Sequence, residues 1–197
     1  MTTTEQAALT PAARRILDAA SALYYDQGIT AVGLELVAER AGTTKKTIYD
    51  RFGSKDGLVV AYLRARAHRW QEHVQGRLEG SVITGPERVL VVVDALESWM
   101  ATSTRGCGFV NAYAELSTRS ETATRVVRRE KEWVRELYVG LVESLPAAES
   151  LGRQLALLHE GAIVELTAGG SPYAVDDARQ AMRALIASAG EHPTATG

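Results

Sequence analysis

The chain has 197 residues, 46% of them hydrophobic and 23% charged, with a formal net charge of −2. A core of useful size is therefore available, and a nucleic-acid footprint has to be local, since the molecule as a whole carries no positive excess. The single cysteine, Cys107, excludes an internal disulfide framework and suits a reducing compartment. No apolar run approaches membrane-spanning length and the N-terminal MTTTEQAALTP lacks a basic-then-apolar signal, so no membrane partner is expected and the cytoplasm is the expected location.

Taken in order, the elements are all helical. Thr2–Leu9 reads as a tail. Ile16, Ala20, Leu23 and Tyr24 give a first helix its apolar stripe. Leu34, Val37, Ala38 and Ala41 give a second, which Gly42 ends, as a left-handed C′ residue does most cheaply when it is glycine. Thr44 is a suitable N-cap for a third helix whose buried side is Ile48 and Phe52. Ser54 caps a long helix running from Lys55 toward Leu78 with Val59, Leu63, Trp70 and Val74 along it. Gly80, Gly85 and Pro86 mark a break. Val89, Val93, Leu96 and Met100 define the next helix, and Arg105–Gly108 interrupts before a short one over Phe109–Leu116. Val126, Trp133, Leu137 and Leu141 define another that closes near Pro146. Leu151, Leu155, Leu158, Ala162 and Leu166 define the penultimate helix, and Ala178, Met182, Leu185 and Ala189 the last, before a tail over Glu191–Gly197. No strand pattern competes, which predicts an all-α chain of about nine helices.

The chemistry concentrates in ITAVGLELVAERAGTTKKTIYDRFGSKDGL, residues 29–58. With Ile48 and Phe52 turned inward, Lys45, Lys46, Thr47 and Tyr49 fall on the N-terminal, outward part of the third helix. Between Thr43 and Lys55 the cations Lys45, Lys46, Arg51 and Lys55 face only Asp50. A helix presented this way fits a major groove while its partner helix crosses the backbone, and a phosphate at the Ser54–Lys55 helix start would meet free N–H groups. Spacing alone leaves a second reading open, an ordinary helical hairpin with a solvated cationic face.

Signals of catalysis are weak. Gly169–Tyr173 (GGSPY) lacks the last glycine of a nucleophile elbow, and Gly106–Asn111 (GCGFVN) has neither the third glycine of a dinucleotide fingerprint nor the lysine of a P-loop. His68 and His73, five apart, lie on different faces of one helix, and His159-Glu160 has no second ligand at helical spacing. No enzyme activity, metal or cofactor is expected. Cys107, near Arg105 and between glycines, is open to a redox-sensor reading, but a lone cysteine with no resolving partner within the chain is more often inert.

Ala12–Leu58 resembles the N-terminal domain of the TetR (tetracycline repressor) family. The resemblance is carried by Ile16, Ala19, Ala20 and Gly28, then Val37-Ala38 and Ala41-Gly42, then Thr43–Tyr49, Phe52 and Ser54-Lys55-Asp56-Gly57-Leu58. It covers about a quarter of the chain at many fixed positions, which is far more specific than a lone motif. Two residues depart from the family pattern. Gly33 stands where a Ser or Thr cap is common, and Lys46 where Gly is common.

The resemblance implies a three-helix helix-turn-helix domain over 10–56 and a larger helical ligand-binding and dimerisation domain over 57–190, between tails 1–9 and 191–197. It implies Thr43, Thr44, Lys45, Lys46, Thr47, Tyr49 and Lys55 as the DNA-binding set. RGCGFVNAYAEL, Arg105–Leu116, is similar to a segment of one large subset of such regulators. Pocket-lining candidates for a small organic effector are Trp70, Trp99, Met100, Phe109, Asn111, Tyr113, Trp133 and His159. For each, plain core is the competing reading, and only Asn111, Tyr113 and His159 carry polar atoms that ask for a partner. A homodimer built from the last two helices would use Leu157, Ile163, Val164, Met182, Leu185 and Ile186. The expected function is a repressor that releases a palindromic double-stranded operator when the effector binds. The alternatives are an activator or ligand-independent regulator, and a helical enzyme or small-molecule binder that never touches DNA.

Overall fold

The structure, a computed structural model, describes residues 9–103 and 105–191. The expected tails fall almost wholly outside these residues. At their edges, Leu9 is half-buried against the core and Glu191 still belongs to the last helix.

Among the described residues there are nine α-helices: α1 (Pro11–Gln27), α2 (Leu34–Arg40), α3 (Lys45–Phe52), α4 (Lys55–Glu79), α5 (Arg88–Met100), α6 (Gly108–Leu116), α7 (Glu121–Leu141), α8 (Ala148–Thr167) and α9 (Ala174–Glu191). A single 3-10 turn, Gly85–Glu87, precedes α5, with Pro86 inside it. The starts and stops follow local chemistry. Thr10 accepts the Ala13 N–H at 3.3 Å, ahead of Pro11 in the first helical position. Ser120 accepts the Ala123 N–H at 3.0 Å before α7.

The chain divides into two compact units, with cuts inside α4, between Gly106 and Cys107, and inside α7. One unit is Met1–Trp70 with Cys107–Arg129, and the other is Gln71–Gly106 with Glu130–Gly197. The reason α6 joins the first unit lies in its apolar face. Phe109, Ala112 and Leu116 are buried in the same core as Ile16, Ala20, Leu23, Val37, Ile48, Leu58 and Leu63. The sequence pattern gave α6 an apolar face but not the core that takes it. The first unit holds more Lys and Arg than Asp and Glu, and the second the reverse. The net charge of −2 thus conceals one basic unit and one acidic unit.

In the second unit, α8 and α9 form a hairpin through Ala168–Tyr173 and pack along each other. Arg179 on α9 reaches Asp94 at 3.1 Å and Glu97 at 2.7 Å on α5, and also pairs with Asp176. Gly152 brings α8 close to α7, because a Cβ there would lie 2.6 Å from the Val139 Cα.

Candidate nucleic-acid interface

The reading head is assembled by local capping and a small shared core. α2 ends through Ala41; Gly42 takes φ 61°, the Thr43 N–H reaches the Ala38 carbonyl at 2.9 Å and the Gly42 N–H the Glu39 carbonyl at 3.1 Å. That geometry satisfies carbonyls a helix end otherwise leaves open. Thr44 then caps α3, its hydroxyl accepting the Thr47 N–H at 3.2 Å. Ile48 is wholly buried and Phe52 half-buried, which fixes the rotation of α3. Lys45, Lys46 and Tyr49 are consequently exposed, and Thr47 half-exposed. Gly33 does begin α2 without a side-chain capping bond.

Beyond α3, Ser54 Oγ accepts the Gly57 N–H at 2.9 Å and so opens α4. Gly57 is obligatory here for a reason the sequence does not display: a Cβ would lie 2.0 Å from the Phe52 carbonyl oxygen. Lys55 is half-buried, and its Nζ lies 3.5 Å from the Thr30 carbonyl.

Lys45 and Lys46 of α3 are held by local carboxylates. Lys45 Nζ donates to Glu35 Oε1 on α2 at 2.6 Å, and Lys46 Nζ to Asp50 Oδ2 one turn along at 2.8 Å. The hydrogen bond from Lys45 holds the Glu35 carboxyl below its ordinary range, and Glu35 raises Lys45 in return. All four side chains are at least half-exposed, so these pairs contribute little to stability and exchange cheaply for phosphates or base edges. Nothing in the sequence spacing announces the Glu35–Lys45 pair, because it crosses the turn between two helices. The seven residues expected to bind DNA thus cluster on one element and its flanks.

The residues expected to line a pocket divide between the two units. In the first, Trp70 and Phe109 are buried, Asn111 is half-buried and Tyr113 exposed. Asn111 borders a crevice with Tyr24, Tyr25, Ile29, Tyr62, Gly108, Ala112 and Glu115 that has no room for a water molecule. Buried Tyr24 has its hydroxyl pushed up to about 12 by desolvation. In the second, Met100 is buried and Trp99 lies tilted against His73, with ring centroids 5.6 Å apart. Trp133 is half-buried. His159 is buried with its Nδ1 3.0 Å from the Tyr138 hydroxyl, and burial pushes it down to about 3, aided by Lys131. Lys131 bridges Glu130, at 3.6 Å, and Glu160, at 2.8 Å. His73 Nε2 sits 3.1 Å from the Ala95 carbonyl and 3.0 Å from Ser98 Oγ. Among the described residues no group of three His, Cys, Asp or Glu is placed to hold a metal ion, and no helix is long and apolar enough to cross a membrane.

The residues expected at a dimer face separate as well. Leu157 and Val164, seven apart on α8, are exposed, and Leu185 on α9 is half-exposed. Ile163, Met182 and Ile186 are instead buried within their own chain. Met182 and Ile186 continue the stripe of Val175 and Ala178, and Ile163 that of Ala156, which own-chain packing uses up. A groove of about 650 Å³, lined by Gln154, Leu157, Leu158, Ala181, Ala184 and Leu185, opens on the outer side of this hairpin.

A capped helix with a buried inner side and an outer face of Lys, Thr and Tyr, set on a basic helical unit, defines the reading head of a helix-turn-helix protein. The family model "Bacterial regulatory proteins, tetR family" matches residues 16–62, so this segment is similar to the DNA-binding domain of TetR-type transcriptional regulators. An uncharacterized HTH-type transcriptional regulator of Mycobacterium tuberculosis is 29% identical over 120 residues, 56% of each chain. The chain thus spans little more than half the length of the curated relative it matches. The BetI regulator of Rhizobium meliloti is 25% identical over 176 residues, 83% of this chain and 81% of that one. A TetR-type regulator structure from Streptomyces avermitilis matches at 28% identity with a TM-score of 0.78, covering 93% of this chain and 100% of that chain. SCO4454 of Streptomyces coelicolor shares the fold with a TM-score of 0.83 at 23% identity, over 91% and 96% of the two chains.

Proposed function

We propose that the chain is a cytoplasmic, dimeric transcriptional repressor that binds a palindromic operator and releases it when a small organic molecule binds. The observation that carries the DNA half is the outer face of α3. Lys45, Lys46, Thr47 and Tyr49 project from a helix whose rotation Ile48 fixes, and Lys55 stands at the next helix start. Base-edge contacts from Lys45, Lys46 and Thr47 set the sequence read, and Tyr49 and Lys55 hold phosphates. One such head covers only a few base pairs, so two are needed about one helical turn apart, roughly 34–36 Å. The exposed Leu157, Val164 and Leu185, beside Ala181 and Ala184, supply a surface on which two hairpins stack as a four-helix bundle.

The effector half rests on Trp99, Met100, Trp133 and His159 of the second unit, of which Met100 and His159 are buried and the two tryptophans half-buried. The effector would favour a form in which the two heads are wrongly spaced for successive major grooves, a population shift away from DNA. A gel shift across a salt series tests the DNA half: affinity should fall steeply with salt, and its absence on every duplex would leave a helical small-molecule binder. Fluorescence of Trp99 and Trp133 during a screen of small organic compounds tests the effector half. A second sign of regulation is also supported, since FasR of Mycolicibacterium smegmatis, named as an activator, is 36% identical over 66 residues. Transcription in vitro from the bound promoter separates the two.

A further inference from the structure

The turn joining α1 to α2 is fixed from outside. Gly28 takes φ 91°, Ile29 and Val32 are buried, and Thr30 is exposed. Glu115, on the last turn of α6, accepts both the Thr30 N–H and the Thr30 hydroxyl on its Oε2, each at 2.7 Å. Bonds to an ionised acceptor at this length are among the stronger ones a surface turn can make. A Cβ on Gly28 would lie 3.1 Å from Glu115 Oε1, so glycine at that position both permits the positive φ and clears the carboxylate. α2 begins at Gly33 with no side-chain cap, which leaves its entry direction to this turn. α2 in turn holds α3 through the core that Val37, Ala38 and Ala41 share with Ile48.

We propose that Glu115 is a positioning residue for the reading head. Its carboxylate clamps the α1–α2 turn to α6 and so sets how α2 and α3 are presented to DNA, without touching DNA itself. The face of α6 that carries Glu115 also carries Gly108, Asn111 and Ala112 along the Tyr24–Tyr62 crevice, so a displacement of α6 would reach Thr30 through this carboxylate as well as through the shared core. The consequence for DNA rests on the proposed function; the clamp does not.

Two measurements on the full chain keep these apart. Amide exchange followed by NMR needs no DNA. Glu115→Ala should speed exchange at Thr30 by about tenfold or more, since a lone net hydrogen bond to a charged group is worth that much. Glu115→Gln should stay near wild type, because one amide oxygen can accept both donors as Oε2 does. Unchanged exchange at Thr30 in Glu115→Ala overturns the clamp. The second measurement uses the duplex that the wild-type protein enriches from a random library. Glu115→Ala should bind it about five- to tenfold more weakly, with the salt slope of the wild type, because no phosphate contact is lost. Glu115→Gln should restore binding, and Thr30→Val, which deletes one donor at an exposed site, should weaken it in the same direction even if Glu115→Ala does not fold. Full affinity in Glu115→Ala despite fast Thr30 exchange overturns the positioning role. Failure of the wild-type chain to enrich any duplex overturns the DNA-binding reading and leaves the clamp to the exchange result.

Discussion

Lys45 and Lys46 each stand beside a carboxylate, at 2.6 Å and 2.8 Å, yet both remain exposed. Such exposed pairs are weak, and on the proposed function a nucleic acid would replace them at little cost. Lys46→Ala should relax sequence preference, losing roughly 1–3 kcal/mol at one base position, as measured by competition among operator variants. Lys55→Ala should weaken binding to all duplexes about equally and flatten the salt slope by about one unit. If neither substitution alters binding, α3 is not the reading helix. His159 gives a residue-scale test of the second unit. Its folded value is depressed to about 3, so the unfolded chain takes up a proton at a pH where the folded chain does not. Stability is therefore intact above about pH 6.5 and falls as pH drops toward 3, by up to about 1.4 kcal/mol per pH unit. His159→Gln should shrink that slope in urea titrations at pH 7 and pH 5; an equal slope in both proteins would remove His159 as its source.

At the scale of elements, close approach decides which glycines are fixed. Gly57 opens α4 against the Phe52 carbonyl, where a Cβ would sit at 2.0 Å. Gly57→Ala should therefore destabilise the reading head by about 1–3 kcal/mol or more, seen as a lower urea midpoint. Gly152 lets α8 approach α7, with Val139 atoms 2.5–2.6 Å from a notional Cβ. An alanine inside a helix ordinarily adds about 1 kcal/mol of stability over glycine. At Gly152 the overlap should outweigh that gain and lower the thermal midpoint, whereas Gly161→Ala, with open space around it, should raise it. Equal shifts at the two sites would show that α7 and α8 yield freely.

For the whole molecule, the outer side of the α8–α9 hairpin carries the dimer argument. Leu157 is 72% exposed and lines the groove of the hairpin, which makes it the first residue to test as a contact surface. Sedimentation at micromolar protein should show a dimer for the wild-type chain. Leu157→Glu should give a monomer with an unchanged helical circular-dichroism signal. A wild-type monomer would remove the two-head spacing on which the operator reading depends.

Much of this protein is written in local pattern. The stripes of Ile16, Ala20, Leu23 and Tyr24, the caps Thr44 and Ser54, and the stop at Gly42 identify the helices and the reading head, because 3.6-residue periodicity and capping depend on neighbours a few positions away. The outward set Lys45, Lys46, Thr47 and Tyr49 follows from the same periodicity once Ile48 is taken as buried. What spacing does not contain is which stripe meets which core. Only the tertiary packing joins α6 to the reading-head core, buries Ile163, Met182 and Ile186 within their own chain, and leaves Leu157 and Val164 outside. It also brings Glu115 to Thr30 across 85 positions of sequence. Each of those outcomes depends on long-range contact between elements, which periodicity along one helix does not encode.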